Sequence, residues 1–337
     1  PRRRLGSGVM NRSEIPNGKR LSRRPVGRTG LEVSLLGLGG FHQVETEQDC
    51  LNGLVYEYLA AGGNYIETAR GYGKGSSEIK LGRALSGHDR RDYLLASKSH
   101  SRDRDGAWRD LEQTLRTLRT DYLDFYFFHN IGNAEELEKT CGPDGALTAF
   151  REARDLGLVK NFGMSSHWPM MYVAAAGRME LDVALIWGNY LDFCNFPELL
   201  QDVIPALETR GVGIFFMKPL ADGFLHRSVN AAFGYALAHG PACVVSGFNS
   251  IEMLRADVRA CLEDVYGEDD LERVLRDAPE LGDYVCRQCD DCTVLPGERG
   301  SLLKRVFELE GKVDRQMDDR RPVSVPEYAL RQRLCGW

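Results

Sequence analysis

Apolar and polar positions follow two rhythms along this chain. Short β-type runs recur at Val33–Leu38, Tyr65–Ile66, Tyr93–Ser97, Leu123–Phe128, Val159–Met164, Val183–Trp187, Val212–Met217 and Cys243–Val245, eight in all. Between them lie stretches with the 3.6-residue period of a helix. Trp108, Leu111, Leu115 and Leu118 fall on one helix face, as do Leu51, Leu54, Val55, Tyr58 and Leu59, and Ile251, Leu254, Val258 and Cys261. Eight strands alternating with helices, with no early Gly-x-Gly-x-x-Gly turn followed by an acid, predict a (β/α)8 TIM barrel rather than a doubly wound sheet. A hairpin-like entry over 24–30 precedes the first strand, and 130–145 reads as a long polar loop on the rim.

In such a barrel the chemistry sits where strands end at their C-terminal side. Those ends carry Glu67 with Tyr72, Lys98, His129, and Ser165-Ser166-His167. Taken singly, each has an ordinary structural use: Glu67 pairs with a cation, Tyr72 packs, and a strand-end lysine or histidine braces a loop. Together they suit carbonyl reduction. A phenol with an ordinary pKa of about 10 is a poor proton donor near neutrality, and an ammonium or imidazole beside it favours the phenolate. Tyr72 is then the general acid, Lys98 tunes it, Glu67 holds the Lys98 charge, and His129 orients the substrate oxygen.

At 337 residues, 43% hydrophobic and 27% charged, the chain can bury one large barrel core, and its net charge of −6 gives no reason to expect nucleic acid as a partner. The residues divide into a basic arm (1–23), with Arg2, Arg3, Arg4, Arg20 and Arg23 and little apolar content; a barrel (24–265); and a short helical, cysteine-bearing C-terminal extension (266–337). No apolar run is long enough to span a membrane and no signal-peptide pattern appears, so the expected location is cytoplasmic. Cys50, Cys141, Cys194, Cys243, Cys261 and Cys335 are scattered and read as free thiols, whereas Cys286, Cys289 and Cys292 are evenly spaced.

From about Arg24 to Leu262 the sequence resembles the aldo-keto reductases. The resemblance is carried by Gly27-Arg28-Thr29-Gly30-Leu31-Glu32-Val33-Ser34 leading to Gly37-Leu38-Gly39-Gly40; by 64–73 with Ser77-Glu78-Ile79-Lys80-Leu81-Gly82; and by Lys98 and Leu123-Asp124 to His129. Gly163-Met164-Ser165, Met217-Lys218-Pro219-Leu220 and Gly247-Phe248-Asn249-Ser250 continue it in order. It implies a barrel that binds NADP or NAD and transfers a hydride to or from a small carbonyl or alcohol, through an Asp-Tyr-Lys-His tetrad. Tyr72, Lys98 and His129 occupy tetrad positions; Glu67 stands where the family has aspartate. One more methylene adds about 1.5 Å of reach, so the carboxylate is expected either to displace Lys98 or to point elsewhere.

The resemblance places the dinucleotide along Gly39, Gly40, Phe41, Ser165, Ser166, Asn189, Met217, Lys218, Pro219, Leu220, Gly247, Asn249, Ser250 and Asp257. Ser166 replaces the usual asparagine, Leu185 a glutamine and Asp257 an asparagine, and the usual basic residue falls near Met253. NADP and NAD both stay open, as does the reading that Asn249 and Ser250 simply cap the helix from Ile251. Cys286-x2-Cys289-x2-Cys292 resembles the ferredoxin-like tail of a bacterial subfamily, with Leu295 where the fourth cysteine belongs and Pro296 retained. Three outcomes remain open there: a [4Fe-4S] cluster with a remote ligand such as Cys335, a zinc ion, or no metal. The departures at Glu67, Leu185 and Leu295 motivate a second function beside carbonyl reduction, a redox-neutral nicotinamide-dependent epimerase or lyase; the resemblance adds a third, a non-catalytic cofactor-binding regulatory subunit, since some members of the fold serve as partner subunits. The substrate pocket is expected from Phe41-His42, Arg70, 130–145, His167-Trp168 and 221–224.

Overall fold

The computed structural model describes residues 19–223 and 225–262. The three-cysteine segment, Cys335, the helix expected around Leu302 to Leu309 and most of the basic arm lie outside the described residues.

Eight parallel strands close on themselves. In chain order the strands are β1 (Arg23–Pro25), β2 (Glu32–Ser34), β3 (Leu36–Gly39), β4 (Tyr65–Glu67), β5 (Leu94–Ser99), β6 (Leu123–Phe128), β7 (Val159–Ser165), β8 (Val183–Trp187), β9 (Gly213–Met217) and β10 (Cys243–Ser246). β3 to β10 form the barrel, with β10 pairing back onto β3, and β1–β2 is a separate antiparallel hairpin. The helices are α1 (Gln48–Ala60), α2 (Ser76–Leu85), α3 (Arg104–Leu118), α4 (Ala134–Cys141), α5 (Ala146–Asp155), α6 (Pro169–Ala176), α7 (Tyr190–Asn195), α8 (Ile204–Glu208), α9 (Val229–Ala238) and α10 (Ile251–Leu262). The (β/α)8 fold is therefore the one the alternating rhythm predicts.

Side-chain alternation explains how the barrel is filled. Tyr65, Ala96, Phe125, Phe127, Val183, Leu185, Phe215, Cys243 and Val245 form one buried cluster in the lumen, and Val26 and Val33 of the hairpin segment belong to it and plug its lower end. The intervening strand residues, such as Leu38, Ile66, Leu95, Tyr126, Phe128, Phe162, Ile186 and Phe216, pack outward against the helices in a second, larger cluster. Phe128 and Phe150 stack at 3.9 Å between centroids, joining β6 to α5. A strand buried on both faces reads as a nearly continuous apolar run, which is why these eight were visible.

Two expectations are corrected. The run Val33–Leu38 is not one strand: the Ser34 hydroxyl donates to the Leu36 carbonyl at 2.7 Å and the Ser34 amide donates to the Asn64 side chain at 2.7 Å, so the chain turns between β2 and β3. The stretch 130–145 is not loop throughout. It holds α4, whose first turn is capped by the Asn133 side chain accepting from the Glu136 amide at 2.9 Å. Only Leu137 and Thr140 of α4 are buried, too few for its period to show.

The barrel wall leaves no room for side chains at its closest points. A Cβ on Gly163 of β7 would lie 2.1 Å from the Val183 carbonyl oxygen of β8 and 3.0 Å from the Phe127 ring. Because the obstacle is backbone, Gly163→Ala should destabilise the protein by about 3 kcal/mol. Chemical denaturation checks this; an unchanged midpoint would contradict the packing described.

Candidate active site

β4 presents Tyr65 and Glu67 to the lumen, and β5 presents Ala96 and Lys98, with Glu67 paired in register to Ala96. Lys98 is 1% exposed and Glu67 4%. Their charges meet in a buried ion pair. The Lys98 ammonium also donates to the Thr68 carbonyl at 3.0 Å and to the Tyr72 hydroxyl at 3.2 Å. The longer carboxylate thus neither displaces Lys98 nor points away, contrary to both sequence expectations.

Tyr72 reaches this point on a tightly shaped loop. Gly73 and Lys74 both take left-handed backbone angles, and Gly75 follows at φ 92. A Cβ on Gly75 would meet the Arg70 guanidinium at 2.0 Å. Arg70 pairs with the fully buried Glu78 at 3.1 Å, and Glu78 also accepts from the hydroxyls of Ser97, Thr114 and Thr117 at 2.8, 2.7 and 3.0 Å. The Tyr72 ring stands edge-on to His129, centroids 5.5 Å apart, and edge-on to the exposed Phe41 at 5.3 Å.

The electrostatics differ from the sequence expectation in one respect. Burial pushes the Tyr72 phenol above its ordinary value, and the nearby Lys98 charge pulls it down without overcoming that rise. His129 gives no further help, because burial and then the Lys98 charge hold its imidazole well below the ordinary range, so it is neutral. Burial depresses the Lys98 ammonium, but Glu67 and Tyr72 together outweigh it and leave Lys98 charged; burial raises Glu67 against the pull of Lys98. Near neutral pH the geometry presents a protonated phenol backed by a cation, beside a neutral imidazole.

The remaining candidates form a ring around the mouth. Gly39 and Gly40 end β3, and a Cβ on Gly40 would strike the Glu67 carbonyl oxygen at 2.6 Å. A Cβ on Gly247 would meet the His42 ring at 2.0 Å. The Ser165 hydroxyl accepts from the Asn130 amide at 3.0 Å, while Ser166 is buried and donates to the Ile131 carbonyl at 2.7 Å. Ser166 is therefore held by its own loop. Leu185 lies in the lumen cluster. Asn189 caps α7 and donates to the Lys218 carbonyl at 2.8 Å; Lys218 follows Met217 in a left-handed conformation, pairs with Asp222 at 2.9 Å and lies over the Trp187 ring at 5.7 Å. Pro219 is buried beside it and Leu220 packs against the shell. The Asn249 carbonyl accepts from Cys50, and the Ser250 hydroxyl accepts from the Met253 amide at 3.3 Å, a cap at the start of α10. Asp257 is buried and accepts from the Ser246 hydroxyl at 2.7 Å, so it faces the end of β10.

Sequence reasoning missed three mouth residues. His100 tilts over His129 with centroids 3.9 Å apart, Trp187 stacks on His167 at 4.9 Å, and Arg102 hydrogen-bonds the main chain after β6. The period of two could have found His100, since Ala96, Lys98 and His100 alternate onto one face. Among the described residues no group of His, Cys, Asp and Glu could hold a metal ion, and no helix is long and apolar enough to cross a membrane.

Residues 35–239 match the profile of the aldo/keto reductase family. The chain is 26% identical over 217 residues to the uncharacterized oxidoreductase YqkF of Bacillus subtilis (strain 168), an alignment covering 61% of this chain and 67% of that protein. The first curated relatives are spanned over 59% to 67% of their length. In structure the chain is similar to the holo form of aldo-keto reductase AKR11C1 from Bacillus halodurans, with TM-score 0.65 and 23% identity over 77% of this chain and 96% of that one. It is also similar to an aldo-keto reductase from Klebsiella pneumoniae in complex with NADPH, with TM-score 0.63 and 21% identity over 76% and 95%. At these identities the two solved structures speak to the fold.

Burial pushes the Asp257 carboxyl up to about 7, with the Ser246 hydrogen bond pulling the other way. A carboxyl raised in the fold above its unfolded value of about 3.9 stabilises most below that value and loses the advantage as pH rises through 7. Asp257→Asn keeps an acceptor for Ser246 and removes the charge. It should be more stable than the parent by about 2–4 kcal/mol at pH 8, with the gain fading as pH falls toward 4. Melting curves at the two pH values check the sign.

Proposed function

This chain belongs to the aldo/keto reductase family, and from that premise we propose that it is an NAD(P)-dependent oxidoreductase acting on an aldehyde or ketone, with Tyr72 as the proton donor. The observation that carries the reading is the Tyr72 hydroxyl 3.2 Å from an ammonium that is itself buried on Glu67 and Thr68.

The residues around the mouth suit a dinucleotide. The indole nitrogen of Trp187 is buried with no hydrogen-bond partner among the described residues, a donor left for a ligand at the mouth. Ser165, Asn189, Lys218 and the start of α10 at Ser250 would hold the cofactor, the last through helix amides and a hydroxyl. We favour NADPH, which the Klebsiella pneumoniae protein of the same fold carries. A bound reduced nicotinamide supplies the hydride. This chain's own part is the proton and the polarisation of the carbonyl.

With the carbonyl oxygen placed between Tyr72 and His129, the neutral imidazole donates a hydrogen bond to it and draws electron density toward oxygen. The Tyr72 O–H bond breaks as the alkoxide oxygen takes its proton, leaving a phenolate. Lys98 stabilises that phenolate at its existing contact, and Glu67 keeps the ammonium in place without competing for the phenol. Because burial holds the phenol protonated in the resting site, the arrangement favours reduction over oxidation at neutral pH. The redox-neutral alternative drew on Glu67 as a departure; its carboxylate on Lys98 serves the same end as the family's aspartate and takes away that ground.

Tyr72→Phe should lower kcat for carbonyl reduction by about 10²–10⁴-fold while leaving the dissociation constant for NADPH within about twofold. Initial rates on a panel of aldehydes, with fluorescence titration of cofactor, test both halves. Undiminished turnover in the variant sinks the assignment, and product formation without matching NAD(P)H consumption transfers the protein to the redox-neutral class.

A further inference from the structure

The segment after β5 crosses to the neighbouring strand's loop and is sewn down there. The Arg104 amide donates to the Asp144 carbonyl at 2.8 Å, the Ala146 amide donates to the Arg102 carbonyl at 2.9 Å, and Asp103 bridges to Gly145. Arg102 sits at the centre of this seam. Its side chain is only 10% exposed, unusual for a guanidinium on a surface loop. Burial of that kind is costly unless the charge is paired and its donors used.

Three of the five Arg102 donors, those of Nε and Nη2, are used, while Nη1 is buried with no hydrogen-bond partner among the described residues. Nε and Nη2 donate to Glu136 Oε2 at 3.1 and 2.9 Å, which anchors the head group, and Nη2 also donates to the main-chain carbonyls of His129 and Asn130, both at 2.8 Å. Asn130 takes a left-handed conformation at φ 53, strained for a residue with a Cβ. It is tied to the next strand as well, its amide donating to Ser165 Oγ at 3.0 Å and its Oδ1 accepting from the His167 amide at 3.0 Å. The His129 amide donates to the Ser99 carbonyl at 2.8 Å. The peptide links on either side of His129 are thereby held from β5, from α4 and from β7.

We propose that Arg102 is the positioning residue for His129: anchored on Glu136, its guanidinium grips the main chain of His129 and Asn130 and so fixes where the imidazole stands beside Tyr72. The inference rests on the proposed role of His129 toward the substrate oxygen for its catalytic meaning, but the geometry stands without it. A second consequence is electrostatic. The groups facing the imidazole are Tyr72 from the β4 loop, Lys98, His100 and Arg102 from β5 and its loop, and His167 from the β7 loop; the carboxylate paired with Arg102 across the seam is Glu136 on α4. Burial and the Lys98 charge come first in keeping the ring neutral, and Arg102 adds to the same side as the smallest contributor.

The test follows the ring directly. In full-length protein labelled at histidine, with His129→Gln to assign the signals, the His129 titration is recorded by NMR for the parent, Arg102→Met and Arg102→Lys. Arg102→Met should shift the His129 pKa upward, since it removes one of the positive charges that hold the ring neutral. Arg102→Lys, which keeps the charge but lacks the Nε bond that anchors the head group on Glu136, should restore the pKa while leaving the ring signals displaced. In turnover, the acid limb of the kcat profile should move with the pKa, and kcat should fall more than KM. An unchanged titration and unchanged ring signals in a folded Arg102→Met protein overturn the proposal; if that variant does not fold, parent-like ring signals in Arg102→Lys do so instead. Full turnover in Tyr72→Phe together with a shifted His129 titration would reject the catalytic assignment and uphold the positioning role.

Discussion

A single buried ammonium dictates the organisation of the barrel mouth. Lys98 is almost without solvent contact, and an unpaired charge in that position would be lost by deprotonation or would unfold its surroundings. Three oxygens prevent this: the Glu67 carboxylate, the Thr68 carbonyl and the Tyr72 hydroxyl. All three come from β4 and the loop that follows it, so stabilising the charge and assembling the site are one structural event. The backbone repeats the link, because the Arg70 amide donates to the Lys98 carbonyl at 3.1 Å and the Thr68 amide to the Ala96 carbonyl at 2.9 Å. A shift of β4 against β5 would therefore strand the charge, and the register is held by that cost as well as by packing.

Around this pair lie two buried polar groups that fix loops without touching the reacting centre. Glu78 draws in Arg70 and three hydroxyls under the Tyr72 loop, and Arg102 draws in two carbonyls under the His129 loop. Networks of this kind rigidify a loop to the degree that their groups are paired; Glu78 accepts four bonds, while Arg102 Nη1 is buried with no hydrogen-bond partner among the described residues. Their rigidity is used to hold strained backbone. Lys74, Asn130 and Lys218, all with positive φ, follow closely on Tyr72, His129 and Met217, the residues that β4, β6 and β9 deliver to the mouth. Strain of this sort persists only where the surroundings over-determine it, and here the surroundings are those two networks and the Asn189 bond to Lys218.

Legibility in the sequence followed the strength of the local signal. Strands buried on both faces announced themselves as apolar runs, and parity then placed Glu67, Lys98 and His129 at strand ends. What failed was information carried by single polar contacts. Ser34 broke an apolar run that sequence joins, through a hydroxyl bond to Leu36 that no periodicity encodes. Helix α4 buries too little to show a face. Arg102 looks like any loop arginine until the fold brings Glu136, 34 residues away, against it. His100 was the one miss with a readable signal, two residues beyond Lys98 on the same face.

The replacement of aspartate by Glu67 raises the question of where an extra methylene goes in a closed site. Register sets Glu67 opposite Ala96, and Lys98 stands two residues further along β5, about 6.6 Å up the barrel wall. A longer acid can follow that stagger toward the ammonium, where a shorter one depends on the lysine bending back. In this structure the two coexist: Lys98 reaches both Thr68 and Tyr72 while paired with the Glu67 carboxylate. The burial that raises Glu67 exceeds the pull of Lys98, whereas Glu67 and Tyr72 together outweigh the burial that lowers Lys98, so the lysine's charge persists because of its partners. The tyrosine is the neutral member of that set, and burial keeps its proton in place against the pull of the Lys98 charge.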